Sequence, residues 1–123
     1  MRSIIITGGA GFIGYHLAKK YAKKNYQIYI FDNFQKTKKD NHLKKLSENK
    51  KIFFKNIDIK KDIKLNYNIK NIKKVFHLAA IVGVNNVNKS PLNTIKQNLL
   101  SLINIIEFLK RIKFSGKFIF FST

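Results

Sequence analysis

The chain contains no cysteine, which excludes a disulfide framework and thiolate metal sites and agrees with a reducing compartment. No apolar run approaches the ~18 residues that span a bilayer. The opening MRSIIITGGAG places a charge before an apolar run, as a signal peptide does. Ile4 to Ile6 is nevertheless shorter than the ~7-residue apolar segment of such a leader, and glycines follow at once. A cytoplasmic protein is expected, without a membrane partner. No Pro/Gly/Ser-rich linker and no internal repeat divides the sequence, so its 123 residues are read as one domain with enough chain to bury a core. Acids are scarce, six against 25 lysines and arginines, for a formal charge of +19. Such a charge invites a nucleic-acid partner. Only Arg2 and Arg111 are arginine, however, and bidentate phosphate and base recognition favours arginine over lysine. The densest basic stretch, KTKKDNHLKKLSENKKIFFKNIDIKKDIK, has acids interleaved, so a solvated lysine-rich surface is the preferred reading and nucleic acid the lesser one.

The sequence does have a regular alternation of periods. SIIIT (3–7) is a short β-branched run ending at glycines, hence a buried strand. FIGYHLAKKYAKK (12–24) repeats apolar residues near 3.6 spacing, with Phe12, Ile13, Leu17, Ala18 and Tyr21 set against lysines, hence an amphipathic helix. YQIYIFD (26–32) reads as a strand, NHLKKLSE (41–48) as a weak helix, and KIFFKNID (51–58) as a third strand. A short helical segment is expected within 60–71. KKVFHLAA (73–80) is a fourth strand and GVNNVNKS (83–90) a helical turn before Pro91. The stretch 92–113 is the strongest helix, with Ile95, Leu99, Leu102, Ile106 and Leu109 on one face, and KFIFFST (117–123) is the fifth strand. Apolar strands alternating with helices predict an α/β fold, a Rossmann-type doubly wound parallel sheet that stops after its fifth strand. An apolar last strand left uncovered would favour aggregation.

The chemistry concentrates where strands end. TGGAGFIG follows the first strand and opens the first helix, spacing Gly8, Gly11 and Gly14 as G-x-x-G-x-x-G. Gly8 suits a tight turn, Gly11 lets backbone approach a pyrophosphate, and Gly14 lets the helix pack closely on the sheet. The helix N-terminus adds free N–H groups and partial positive charge. Asp32 ends the second strand, about 20 residues on, where a carboxylate accepts the hydroxyls of an adenosine ribose and repels a 2′-phosphate. The pattern therefore predicts NAD over NADP, although Asp32-Asn33 also has the chemistry of a plain turn. Asp58 ends the third strand, where turn acid and adenine neighbour are both open readings. His77, inside an apolar strand, reads as a core histidine. No histidine and acid share metal-ligand spacing, so no metal is expected.

TGGAGFIG, FDNF, NID and HLAA, in this order and continued by Pro91, Asn98 and FFST, resemble the extended short-chain dehydrogenase/reductase family of NAD-dependent sugar-nucleotide epimerases and dehydratases. The resemblance runs over essentially the whole chain. It implies that Phe12 and Ile13 add backbone groups to the glycine loop and that Asn33 sits beside Asp32 at the adenosine ribose. It also implies that Asp58 and Ile59 flank adenine, that Leu78, Ala79 and Ala80 line the nicotinamide-side ribose, and that Asn98 supports that wall. Thr123 takes the place of the family's catalytic Ser or Thr, which hydrogen-bonds the sugar oxygen. A Y-x-x-x-K pair follows in the family, its tyrosine the base that lets hydride pass from a sugar carbon to NAD.

No such pair stands at that interval after the fifth strand here. Tyr15 has Lys19 four residues on, but in the first helix, far from the nicotinamide end. The expectation is the N-terminal, NAD-binding portion (1–123) of a nucleotide-sugar epimerase or dehydratase, inactive alone and lacking the substrate domain. In the full-length enzyme its partners would be a nucleotide-sugar substrate and a homodimer mate or the missing C-terminal half. A non-catalytic nucleotide-binding or interaction module of the same fold is the alternative.

Overall fold

The computed structural model describes residues 1–34, 41–64, 68–80 and 84–121. The chain runs β1 (Ser3–Thr7), α1 (Phe12–Lys23), β2 (Gln27–Asp32), α2 (Asn41–Ser47), β3 (Ile52–Asn56), β4 (Ile72–His77), α3 (Val84–Lys89), α4 (Pro91–Arg111) and β5 (Lys117–Phe120). The strands form one parallel sheet in the order β3-β2-β1-β4-β5. The chain thus builds outward from β1 to β3, then crosses back to place β4 on the other side of β1. Between β1 and β4 lies the point at which strand order reverses, where parallel α/β sheets open a crevice at their carboxyl ends.

Period-two alternation on β1 divides the core between two faces. Ile4 and Ile6 pack with Ala18 and Ala22 of α1, Leu46 of α2, and Ile28 and Ile30 of β2. Ile5 points the other way, joining Phe31, Val75 and the α4 residues Ile105, Phe108 and Leu109. Each of these fully buried isoleucines contributes about 1.5–3 kcal/mol of apolar burial. The fold is therefore the doubly wound sheet that the alternation predicts.

The details depart from expectation in several places. β3 stops at Asn56 and β4 at His77, so Asp58 and Leu78–Ala80 lie on the loops beyond the strands. Within 60–71 the described residues form a turn, a bend and irregular chain rather than a helix. Irregular chain suffices there because α4 tethers it: Asn104 donates to the Ile59 carbonyl at 2.9 Å, and Arg111 bonds Asp62 at 3.3 Å and the Ile63 carbonyl. Residues 65–67 and Gly83 lie outside the described residues.

Helical spacing alone does not say which face of α4 meets the sheet. Ile95, Leu99 and Ile106, set on one face by that spacing, are exposed, Ile95 by 65%. The helix has two stripes. The face turned to the sheet begins with Thr94, Ser101 and Asn104 and becomes apolar only at Ile105, Phe108 and Leu109. Phe12 and Ile13 are likewise exposed at the start of α1, which buries Gly14, Ala18 and Ala22 instead. No helix among the described residues is long and apolar enough to cross a membrane.

Candidate functional site

A cleft of about 440 Å³ opens at the carboxyl ends of β1, β2 and β4. The size falls within the ~300–1,000 Å³ range of small-molecule and cofactor sites. Its floor is the turn from β1 into α1. Gly8 adopts φ +64°, the left-handed region that favours glycine, and a Cβ there would lie 2.8 Å from the Ala79 backbone. Gly11 is the N-cap of α1, so no side chain caps the first-turn N–H groups, and no acid stands in that turn to offset their positive end. A Cβ added to Gly11 would touch only the Gly8 carbonyl, at 3.6 Å. It would otherwise project into the cleft, occupying the room an anion needs against the backbone. Phe12, Ile13 and Gly14 complete this side.

Asp32, last residue of β2, is fixed by two backbone donors. Its Oδ2 accepts from Ala10 N–H at 3.0 Å and its Oδ1 from Phe34 N–H at 2.8 Å. The second bond is the turn its sequence suggested, and it holds Phe34 at φ +58°. The first ties the glycine loop to β2. Turn and site therefore coexist, since an ionised carboxylate retains lone pairs after two such bonds. Asn33 lies beside it in the cleft wall.

Asp58 and Ile59 line the cleft on the far side of β2. Asp58 Oδ1 accepts from Lys60 N–H at 3.1 Å, so the acid also makes the local turn. Leu78, Ala79 and Ala80 form the opposite wall after β4, and Asn98 reaches it from α4. Every residue expected to meet cofactor thus lines one cavity. Ser122 and Thr123 lie outside the described residues.

Sequence reasoning missed Phe31, Ile57, Lys60, Gln97 and Ser101, which line the same cleft. A signal for the last two exists in the polar positions 94, 97, 98 and 101, one face of a helix otherwise rich in leucine and isoleucine. The hydroxyls of Thr94 and Ser101 donate back to the Ser90 and Gln97 carbonyls, which lets polar residues face the sheet without an unpaired group. Tyr15 packs edge-on against His16 and His42 and is not among the lining residues. No group of histidines and acids able to hold a metal occurs among the described residues.

Below the cleft floor, His77 is 2% exposed, its ring stacked near Phe118 and Phe120 of β5. Burial lowers its pKa from 6.5 to about 4, which keeps the imidazole neutral. Its Nδ1 lies 2.8 Å from the Thr7 hydroxyl oxygen, which also accepts Ala79 N–H at 3.3 Å. A hydroxyl has one proton and two lone pairs, so Thr7 can hold both Ala79 N–H and His77 Nδ1 at once.

Known proteins share this sequence and fold. A UDP-N-acetyl-alpha-D-glucosaminuronate decarboxylase of Bacillus cytotoxicus is 38% identical over 119 residues, 97% of this chain and 36% of that protein. The UDP-Glc/GlcNAc 4-epimerase of Campylobacter jejuni superposes with TM-score 0.79 at 25% identity, covering 98% of this chain and 36% of that one. The Bordetella bronchiseptica enzyme WbmF, solved in complex with NAD+, gives TM-score 0.79 at 26% identity over 97% of this chain and 35% of its own. The chain therefore spans about a third of the length of the relatives it matches. Residues 5–123 match the family described as GDP-mannose 4,6 dehydratase. With that match over nearly all its length, and with the glycine-loop cleft at the strand-order reversal, the chain belongs to the GDP-mannose 4,6 dehydratase family.

Proposed function

We propose that the cleft binds NAD and that this chain forms the NAD-binding part of an enzyme acting on a nucleotide-linked sugar. The observation that carries the proposal is the convergence of the glycine loop, Asp32, Asp58–Ile59, Leu78–Ala80 and Asn98 on one cavity. The residues fit the cofactor in chemistry as well as position. Gly11 leaves an uncapped helix N-terminus open to a pyrophosphate, and Asp32 presents a fixed carboxylate to the adenosine ribose. Asp58 and Ile59 would flank adenine, and Leu78, Ala79, Ala80 and Asn98 would border the nicotinamide-side ribose. When bound, NAD supplies a hydride acceptor for a sugar hydroxyl carbon. The chain's own part is to orient the cofactor and to present Thr123 toward the substrate oxygen.

Its setting in the whole protein is proposed as cytoplasmic. The exposed stripe of Leu92, Ile95, Leu99, Ile103 and Ile106 on α4 supports packing against a second copy or against a C-terminal half. Calorimetric titration of the chain with NAD and with NADP tests the cofactor reading. NAD is expected to bind at least about tenfold more tightly, because Asp32 would face the 2′-phosphate as a like charge. Equal or tighter NADP binding would remove the role given to Asp32.

A further inference from the structure

The wall formed by Leu78, Ala79 and Ala80 has no strand pairing of its own, because the β1–β4 ladder ends at the Thr7–His77 pair. Two hydrogen bonds prolong it. Leu78 N–H donates to the Thr7 main-chain carbonyl at 3.1 Å, and Ala79 N–H donates to the Thr7 hydroxyl at 3.3 Å. The second rung is made by a side chain, and a threonine hydroxyl can rotate away from its acceptor role. Here the hydroxyl is held a second time, by a hydrogen bond with His77 Nδ1 at 2.8 Å. His77 is itself held by its register with Phe120 and by stacking near Phe118 and Phe120. Thr7 is fully buried, so water cannot replace either bond. The spacing between Gly8 and Ala79 is also tight, since a single Cβ on Gly8 would lie 2.8 Å from Ala79 N and Cα.

We propose that Thr7 and His77 are positioning residues that together fix the Leu78–Ala80 wall against Gly8, and so set the nicotinamide half of the cleft without touching the ligand. Neither residue lines the cavity. The inference rests on the NAD reading for its effect on binding, but the clamp itself is a property of the unliganded chain.

The test uses the full chain with Thr7→Val, which keeps shape and removes the hydroxyl, and Thr7→Ser, which keeps the hydroxyl. In Thr7→Val, amide exchange at Ala79 measured by NMR without nucleotide is expected to quicken at least about tenfold. Leu78, bonded to a main-chain carbonyl, stays protected. NAD affinity is expected to fall about tenfold, while AMP, which fills only the adenine half, binds within about twofold of the parent. Thr7→Ser restores both NAD affinity and Ala79 protection. General loosening of the fold would weaken AMP and NAD alike, and that result would overturn the positioning role. So would parental Ala79 exchange in Thr7→Val. Should the parent chain fail to bind NAD, the cofactor reading falls, and the exchange measurement still decides the clamp. If Thr7→Val does not fold, His77→Phe removes the Nδ1 hydrogen bond to the Thr7 hydroxyl while keeping a ring beside the phenylalanines of β5, with the same expectations for Ala79 exchange and for NAD against AMP.

Discussion

Gly14→Ala is expected to cost at least ~3 kcal/mol of folding stability, whereas Gly11→Ala is expected to leave stability nearly unchanged and to weaken NAD binding at least about tenfold. The two glycines sit three residues apart in one motif, and their surroundings are opposite. A Cβ on Gly14 would lie 2.4 Å from Gly9 Cα and 2.5 Å from the Gly9 carbonyl oxygen. Both are backbone atoms of the turn on which α1 rests, so relief requires α1 to move off the sheet. That movement would open the contacts of Ala18 and Ala22 with Ile4 and Ile6. Thermal unfolding should shift down by ~10 °C or more for such a loss. At Gly11 the backbone has φ −78°, which alanine adopts freely, and the added Cβ meets only the Gly8 carbonyl at ordinary distance. The methyl instead enters the space against which a pyrophosphate would lie. Unfolding curves and NAD titrations of the two variants separate the roles. A destabilised Gly11→Ala, or one that binds NAD normally, would contradict the assignment of Gly11 to the anion cradle.

Acidification is expected to destabilise the chain through His77. In the fold its pKa is lowered to about 4 from an ordinary 6.5, because the imidazole is buried and its charged form desolvated. The unfolded chain therefore binds the proton first as pH falls. The stability due to neutral His77 is fully present above pH 6.5 and is lost progressively between 6.5 and about 4, where the loss levels off. At ~1.4 kcal/mol per pH unit the full loss is about 3 kcal/mol. Urea unfolding of the parent and of His77→Phe at pH 7.5, 6, 5 and 4 isolates the effect, because the carboxylates titrate in both. The difference in stability between the two is expected to shrink by about 3 kcal/mol toward pH 4. Parallel pH profiles would rule out His77 as the titrating group.

How much of this was legible before the structure depends on whether a feature is local. The β1 strand, the glycine turn and Asp32 were readable because each rests on short-range chemistry: β-branched residues, a φ that glycine favours, and a carboxylate at a strand end. The face of α4 was not. Ile95, Leu99, Leu102, Ile106 and Leu109 form a sound helical stripe, but so do Leu102, Ile105, Phe108 and Leu109, and spacing alone cannot say which meets a sheet. The polar run Thr94, Gln97, Asn98 and Ser101 marked the face that covers the cleft, a clue visible in the sequence and easily taken for a solvent face. The segment after Asp58 lacks helical structure in its described residues because α4 holds it through Asn104 and Arg111, bonds that span more than 40 residues of sequence. Thr7 and His77 are 70 residues apart and meet only through the β1–β4 register. Such pairings are set by topology, and no local pattern announces them.

The most direct test of the proposed site is an amide NMR titration of the isotopically labelled chain with NAD. Saturable shifts are expected at Gly8–Gly14, at Asp32 and Asn33, at Asp58 and Ile59, and at Leu78–Ala80. The lysine face of α1 around Lys19, Lys20, Lys23 and Lys24 should stay unperturbed. Shifts confined to that lysine face, or no saturable shift in the glycine loop, would contradict the assignment of the cleft to NAD.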